Sequence, residues 1–251
     1  MTTLACPKHM VHGPCGGVQP DGTCEVVDQR CSYVDLPVHP FDPAGLRLGE
    51  PSTKPQPGDE LRGLLTTGRV VVADFPAVAL DATSIQTTAD ILRGSVHAVL
   101  AGDSPRNRVQ FPPSYRARLI QDAGLHAWAG VNCRDRNRVA IEGELAALAH
   151  LGAAAVHCVT GDHPGLGSRP DTAAVFDLDS TQAAARAHDA GLLVSVGESP
   201  ASPPVELRPA RLVEKLLAGA EVCFVNHCGG MEPVRELIAA VDALGGHPWF
   251  V

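Results

Sequence analysis

Four of the eight cysteines of this 251-residue chain lie within its first 31 residues. They are Cys6, Cys15, Cys24 and Cys31, and glycine and proline occupy much of the sequence between them. Such a segment has too few apolar side chains to bury a core of its own, so it needs an internal cross-link. Four thiolates around one Zn2+ ion would provide it, because structural zinc is bound tetrahedrally and contributes directly to folding. The cluster therefore predicts a structural zinc site.

Other roles for these thiols stay open. Their spacing lacks the paired C-x2-C arrangement of common zinc modules, and disulfides, an iron–sulfur cluster or free thiols are the alternatives. His9 and His12 could act as substitute ligands, but four cysteines already complete a tetrahedron, so we expect both histidines on the surface. The remaining cysteines lie in or beside apolar runs and are expected to be reduced and mostly structural. They are Cys133, Cys158, Cys223 and Cys228.

The composition is that of a folded protein that acts on small molecules. The chain has a formal net charge of −8, and 45% of its residues are hydrophobic, enough for a sizeable core. Nucleic-acid surfaces need clustered lysine and arginine, and only residues 134–138 are locally basic. No segment reaches about 18 uninterrupted apolar residues, and the N-terminus does not resemble a secretion signal. We therefore expect a cytoplasmic protein that contacts neither nucleic acid nor membrane.

Hydrophobic patterning divides the rest of the chain into a linker and a series of βα units. From Leu36 to about Gly58, proline and glycine are frequent and hydrophobic periodicity disappears. Beyond this linker, short apolar runs alternate with longer segments of helical spacing, which is typical of parallel strands covered by helices. The predicted strands span 70–75, 96–101, 127–132, 155–160, 192–196, 222–226 and 248–251. The predicted helices include 138–151, 180–190 and 209–218.

Polar residues follow the predicted strands at their C-terminal ends. They are Asp74, Asp103, residues 132–135, residues 160–163, Glu198, Asn226 and His227. In a (β/α)8 barrel these ends form the active-site face, so the polar groups would meet at one mouth. A doubly wound sheet would usually show a glycine-rich motif after its first strand, and the sequence has none there. We predict an α/β fold of the (β/α)8 TIM-barrel type, incomplete as written because only seven strands can be counted.

Several short motifs follow one another between residues 68 and 246. Five of them are Cys133-Arg-Asp-Arg-Asn-Arg138, Gly143-Glu-Leu, Leu151-Gly152, Thr160-Gly-Asp-His-Pro164 and Val175-Phe-Asp-Leu-Asp-Ser180. In order and spacing they resemble the 5,10-methylenetetrahydrofolate reductase family. Two further segments resemble the family's D-N-P-R turn and E-K-x-x-A-G-A helix: Asp103-Ser-Pro-Arg106 and Glu214-Lys-Leu-Leu-Ala-Gly-Ala220. The N-terminal Cys-Pro-Lys-x-Met-x-x-Gly-Pro-Cys-Gly-Gly segment resembles the cysteine-rich module that accompanies some members.

The resemblance implies a function in one-carbon metabolism. Members of the family are barrels that pass a hydride from a nicotinamide, usually through FAD, to methylenetetrahydrofolate. By resemblance Asp162 holds the pterin edge of a reduced folate, since a carboxylate accepts paired N–H donors. Asn226 takes the place of a second folate contact. The folate also needs a proton donor, and Asp74 supplies it if the loop after the first strand has lost one residue. A helix cap or turn former is the alternative role for Asp74.

The resemblance also assigns cofactor-side residues. Lys215 stands where members of the family face the flavin phosphates, although a lysine late in a surface helix is more often solvated. Residues 194–198 lack the aromatic that stacks on flavin in many relatives, so FAD and direct transfer from NAD(P)H both stay open. His163 is either a proton donor or a polar residue of the rim. Arg134 either binds a phosphate or the folate's glutamate tail, or belongs to a structural ion-pair cluster.

We therefore predict a zinc-binding module at 1–35, a linker at 36–66 and a reductase-like barrel at 67–251. The predicted activity is NAD(P)H-dependent reduction of methylenetetrahydrofolate. Two alternatives stay open: a weak or inactive folate-binding or scaffold subunit, and a folate-dependent methyl-transfer protein. The predicted partners are a reduced folate and either a partner subunit or further copies of the chain.

Overall fold

The central element of the fold is one parallel sheet of seven strands. A computed structural model describes residues 6–43, 58–103 and 107–251. Its strands follow one another in chain order, and each pairs in parallel with the next. They are β1 Val72–Asp74, β2 Ala98–Ala101, β3 Ala127–Asn132, β4 Ala155–Val159, β5 Val194–Glu198, β6 Val222–Val225 and β7 Trp249–Phe250. The sheet curls into a half-barrel consistent with the TIM type, so the predicted α/β class is confirmed.

Seven α-helices occur in the described ranges, and six of them connect the strands. They are α1 Asp59–Thr67, α2 Ala82–Leu92, α3 Pro113–Asp122, α4 Arg138–His150, α5 Ser180–Asp189, α6 Arg208–Leu217 and α7 Met231–Ala243. Several begin at side chains that satisfy the free N–H groups of a first turn. Asp81 caps α2, Asn137 caps α4, and Asp179 forms a capping box with Gln182 at α5. None of the described helices combines the length and apolar character needed to cross a membrane.

Two hydrophobic cores lie on opposite faces of the sheet, because successive side chains of a strand point to opposite faces. On β3, Ala129 and Val131 belong to the outer core between sheet and helices, whereas Trp128 belongs to the inner core. The inner core lies inside the curl and includes Leu193 from the segment before β5. This alternation turns every second residue of each strand toward the space that holds the candidate site.

Helix α1 closes the inner core and lies partly in the segment predicted as linker. Residues 59–66 of the predicted linker 36–66 are helical, and Leu61 is only 1% exposed within the inner core. Charged and polar residues are frequent among them, and for this reason the amphipathic helix was not predicted from the sequence. The part of the predicted linker at 44–57 lies outside the described residues. By contrast, residues 6–43 contain no strand or α-helix and are crossed by two isolated bridges, Val18 with Cys24 and Thr23 with Arg30.

Candidate functional site

A polar cavity opens at the C-terminal ends of the strands. Its volume is about 420 Å3, which is the size of a small-molecule site. The structure brings together most of the polar strand ends that the sequence singled out. Those that line the cavity are Asp103, Asn132, Arg134, Thr160, Asp162, Glu198, Asn226 and His227. Lys215 lines it as well.

Two residues that were predicted to serve the folate reaction do not line this cavity. Asp74 ends β1 at a free edge of the sheet, where its side chain is exposed. His163 stacks on Phe176 at 6.0 Å between ring centroids and accepts a hydrogen bond from the Gly165 N–H at 3.1 Å. Because the sheet does not curl far enough to bring β1 around the cavity, the predicted acid Asp74 stays outside it.

The N-terminal segment forms one wall of the cavity. Lys8, Cys15 and Glu25 line it, and Lys8 is only 5% exposed and ion-paired with Glu25. Burial alone would lower the pKa of Lys8, but nearby Cys15 and Glu25 outweigh it, and the net shift raises the pKa. Lys8 is therefore a charged residue of the site.

Hydrogen bonds from the half-barrel hold this wall in place. The guanidinium of Arg208 donates to the Cys15 carbonyl at 3.0 Å, and Asp179 accepts from the backbone N–H of Val11 at 3.3 Å. Burial alone would raise the pKa of Asp179, but the charges of Arg211 and then His12 lower it, so Asp179 is ionised. The buried carboxylate of Asp179 thus holds the N-terminal segment against the half-barrel and also caps α5.

Helix α6 places three basic side chains beside one carboxylate. Arg208, Arg211 and Lys215 are all buried on one helical face, as their spacing allows. Glu198 at the end of β5 lies 2.8 Å from the Lys215 ammonium and 3.5 Å from the Arg208 guanidinium. Burial alone would raise the pKa of Glu198, but these cations outweigh it and lower the pKa. The alternative of a solvated Lys215 was wrong, because its helix turns this face toward the sheet, and a cofactor contact by Lys215 stays a prediction.

A second ion-pair cluster surrounds Asp103. Arg134 donates to Asp103 at 3.2 Å and to Asp135 at 2.9 Å, and Arg136 lies 3.9 Å from Asp103 and 3.0 Å from Asp135. Arg116 approaches Asp103 from α3 at 3.7 Å. The predicted ion-pair cluster around Arg134 is therefore present, and most of its charge is already compensated. A substrate contact by Arg134 stays a prediction.

Two guanidinium groups at the cavity retain an unused donor. The Nε atoms of Arg108 and Arg211 are buried and have no hydrogen-bond partner among the described residues. Arg108 lies 3.9 Å from Asp162, whose side chain is 60% exposed at the rim. Burying a donor without a partner costs free energy. The side chains of both arginines also line the cavity.

The four N-terminal cysteines border a second, smaller cavity. Its volume is about 20 Å3, room for a water-sized species, and Cys6, Cys15, Cys24 and Cys31 all line it. None of them forms a disulfide. Across the described ranges, however, no three His, Cys, Asp or Glu side chains stand close enough to form a ready metal site. The donor set suits zinc, but the thiols would have to move together to bind it.

The other cysteines and histidines behave differently from one another. Cys133, Cys158 and Cys223 are buried free thiols, whereas Cys228 is exposed. Burial raises the pKa of Cys158 and Cys223 to about 12. The expectation of two surface histidines was wrong for one of them. His12 is buried and its ring lies 5.7 Å from that of Phe41.

Sequence reasoning missed five charged residues of the cavity. They are Lys8, Glu25, Arg108, Arg208 and Arg211. Arg208 and Arg211 could have been found from the sequence. Together with Lys215 they recur at intervals of three and four residues, which places all three side chains on one face of a helix. Lys8 and Glu25 left no such signal, because nothing local indicates that the N-terminal segment docks at the mouth.

The fold and the cavity define an α/β half-barrel protein with a polar site at its strand C-termini. A family model described as "Methylene-tetrahydrofolate reductase C terminal" matches residues 2–38, so the resemblance of the N-terminal segment is supported. No curated protein sequence matches the chain.

Similar solved structures belong to other enzymes. A trigonal crystal form of 2,3-dimethylmalate lyase, a PEP mutase/isocitrate lyase superfamily member, is 16% identical, with 78% of this chain and 68% of that chain covered and a TM-score of 0.55. Oxaloacetate acetylhydrolase in complex with the product oxalate is 15% identical, with 78% and 71% covered and a TM-score of 0.56. The same enzyme in complex with the inhibitor 3,3-difluorooxalacetate is also 15% identical, with 78% of this chain and 71% of that chain covered and a TM-score of 0.55. At these identities the likeness shows the fold alone.

These findings correct the predicted function. The structures named above are a lyase and an acetylhydrolase rather than folate reductases, and the family match covers only residues 2–38. The prediction of a methylenetetrahydrofolate reductase-like oxidoreductase was therefore wrong, together with its folate-related alternatives. It rested on short polar motifs at strand ends, which parallel half-barrels of different activities can share. NAD(P)H and FAD were predicted only as cofactors of that reductase reaction, so their prediction no longer has an activity behind it.

Proposed function

We propose that this chain is an enzyme that binds a small organic anion, a carboxylate above all, in the mouth cavity. The observation that carries the proposal is the charge of the lining. Six basic and four acidic side chains line the cavity, although the whole chain has a net charge of −8. Such a local reversal of sign attracts anions and repels cations.

The arrangement of the cations supports the same conclusion. Arg208 and Lys215 share the single carboxylate of Glu198, which leaves a positive excess in a buried place. Burying an uncompensated charge is costly, so a bound anion would recover part of that free energy. Arg108 and Arg211 also line the cavity, and their guanidinium groups could donate to carboxylate oxygens.

Catalysis is supported by the same charges. Fixed cations in a site shielded from water stabilise negative charge that develops on a bound oxygen, which is a large term in many enzymes. The structures of similar fold named above are enzymes, and their names include the small carboxylates dimethylmalate, oxaloacetate and oxalate. Asp162 and Asn226 at the rim stay predicted substrate contacts, and a cytoplasmic location stays a prediction.

Calorimetric titration with oxalate, succinate and inorganic phosphate tests the proposal. We expect at least one organic anion to bind, and its affinity to fall at least about tenfold in Arg211→Gln and Arg108→Gln, since hydrogen bonds to charged groups contribute about 1.5–3 kcal/mol. Arg118→Gln is the matched control, because Arg118 is exposed and pairs with Asp122 within α3. No measurable binding of any anion, or equal losses in all three variants, would contradict the proposal.

A further inference from the structure

The floor of the mouth cavity holds a histidine that the sequence analysis did not single out. His157 is the third residue of β4 and lines the cavity. Its ring meets Phe224 edge to face at 5.1 Å between centroids, and Phe224 meets Trp128 in the same way at 5.0 Å. These contacts hold the imidazole in place.

A chain of hydrogen bonds determines which nitrogen of His157 carries the proton. The hydroxyl of Ser195 accepts from the Trp128 indole N–H at 2.8 Å and donates to the Val156 carbonyl at 3.1 Å. Nδ1 of His157 lies 2.9 Å from the same hydroxyl oxygen. The hydroxyl has one proton, and the carbonyl can only accept it. While that hydroxyl donates to Val156, Nδ1 donates to Ser195 and Nε2 carries the lone pair.

Nε2 is free to accept a hydrogen bond inside the cavity. No described residue bonds it, and a side-chain atom added at Gly197 would still lie 3.9 Å away. Burial, and then the charge of Lys215, lower the pKa of His157 to about 4. The imidazole is therefore neutral near pH 7, and its lone pair repels the oxygen of a carboxylate. A hydroxyl group is the part of a bound anion that could donate to this lone pair.

We propose that His157 contacts the substrate, with Nε2 accepting a hydrogen bond from a hydroxyl group carried by the bound anion. Ser195 is then a positioning residue, because it sets the tautomer of His157. The cavity would select small hydroxycarboxylates over the same acids without the hydroxyl. This inference rests on the proposed anion site and names the chemical class of its ligand.

Binding of L-malate and D-malate compared with succinate tests the selection, since these acids differ only by the hydroxyl. We expect the better enantiomer to bind about tenfold more tightly than succinate, the equivalent of one ordinary hydrogen bond. His157→Asn keeps a polar group near Ser195 but withdraws it from the cavity, so the preference for malate over succinate should disappear. His157→Gln keeps an acceptor near the Nε2 position and should retain part of the preference.

The outcomes separate this inference from the proposed function. If succinate and malate bind equally, or if His157→Asn keeps the preference, the anion site stands and the role of His157 is overturned. If neither acid binds, the hydroxyl contact fails, and the anion site fails with it unless oxalate binds. Nitrogen-15 NMR of the wild-type imidazole needs no variant. An unprotonated Nε2 supports the inference, and a proton on Nε2 overturns it even if a variant fails to fold. In Ser195→Ala the tautomer should become mixed.

Discussion

The N-terminal segment 6–43 and the half-barrel 58–251 are stabilised by different means. The half-barrel has two apolar cores on the two faces of its sheet. Residues 6–43 have two isolated bridges, four cysteines around a small cavity, and polar contacts to α5 and α6. Burial of apolar surface stabilises the half-barrel, whereas the N-terminal segment is held by docking on it and, as we predict, by a metal cross-link.

The candidate site lies where these two regions meet. Lys8 and Glu25 come from the N-terminal segment, and Glu198 and Lys215 come from the half-barrel. A site shared in this way responds to changes in either region. Perturbing each region separately therefore tests whether the two differ as described.

The largest effect is expected from the metal. If Cys6, Cys15, Cys24 and Cys31 bind one Zn2+ ion, the ion contributes on the order of 10 kcal/mol to the order of this segment. Elemental analysis of protein prepared without chelator should find one equivalent, and chelation should expose residues 6–43 to proteases while the helical circular dichroism of the half-barrel persists. Cys24→Ser should lose the metal, and the control Cys228→Ser, at an exposed cysteine, should keep it. Less than about half an equivalent would refute the zinc site.

A smaller effect is expected from the inner core of the half-barrel. Trp128 is fully buried there, so Trp128→Ala should lower the free energy of unfolding by about 3–5 kcal/mol through lost contacts and a cavity. Urea unfolding followed by circular dichroism measures this change. Ile91→Ala is the control, since Ile91 is 75% exposed on α2 and its change should stay within about 0.5 kcal/mol. Equal midpoints for the two variants would show that the inner core is not what stabilises the half-barrel.

The smallest effect is expected at the junction. Asp179 and Asp81 both cap helices, but only Asp179 also accepts from the N–H groups of Val11 and His12. Asparagine caps a helix about as well as aspartate, so Asp179→Asn should cost about 1–2 kcal/mol through the lost charge, and Asp81→Asn should cost less. Hydrogen exchange of the Val11 and His12 amides should accelerate in Asp179→Asn alone. Unchanged exchange would mean that this carboxylate does not hold the segment.

The secondary structure was predictable because it follows from local patterns. The predicted strand 127–132 has the bounds of β3, and the helices 138–151 and 180–190 differ from α4 and α5 by one residue. Continuous apolar runs and helical spacing are properties of neighbouring residues, so one sequence suffices to detect them. Helix α1 was not predicted because proline and glycine dominate the segment before it. Its stability comes from burial of Leu61 against strands that are distant in sequence.

The sequence alone determined the order of βα units, the cysteine cluster and the presence of polar residues at strand ends. Tertiary structure alone decided which of these residues share a cavity. Asp74 is excluded because the sheet stays open at β1, and Lys8 is included because its segment docks at the mouth. His157 and Ser195 stand opposite one another in the register of β4 and β5 although 38 residues separate them. Such pairings depend on which distant segments meet, and local periodicity carries no record of that.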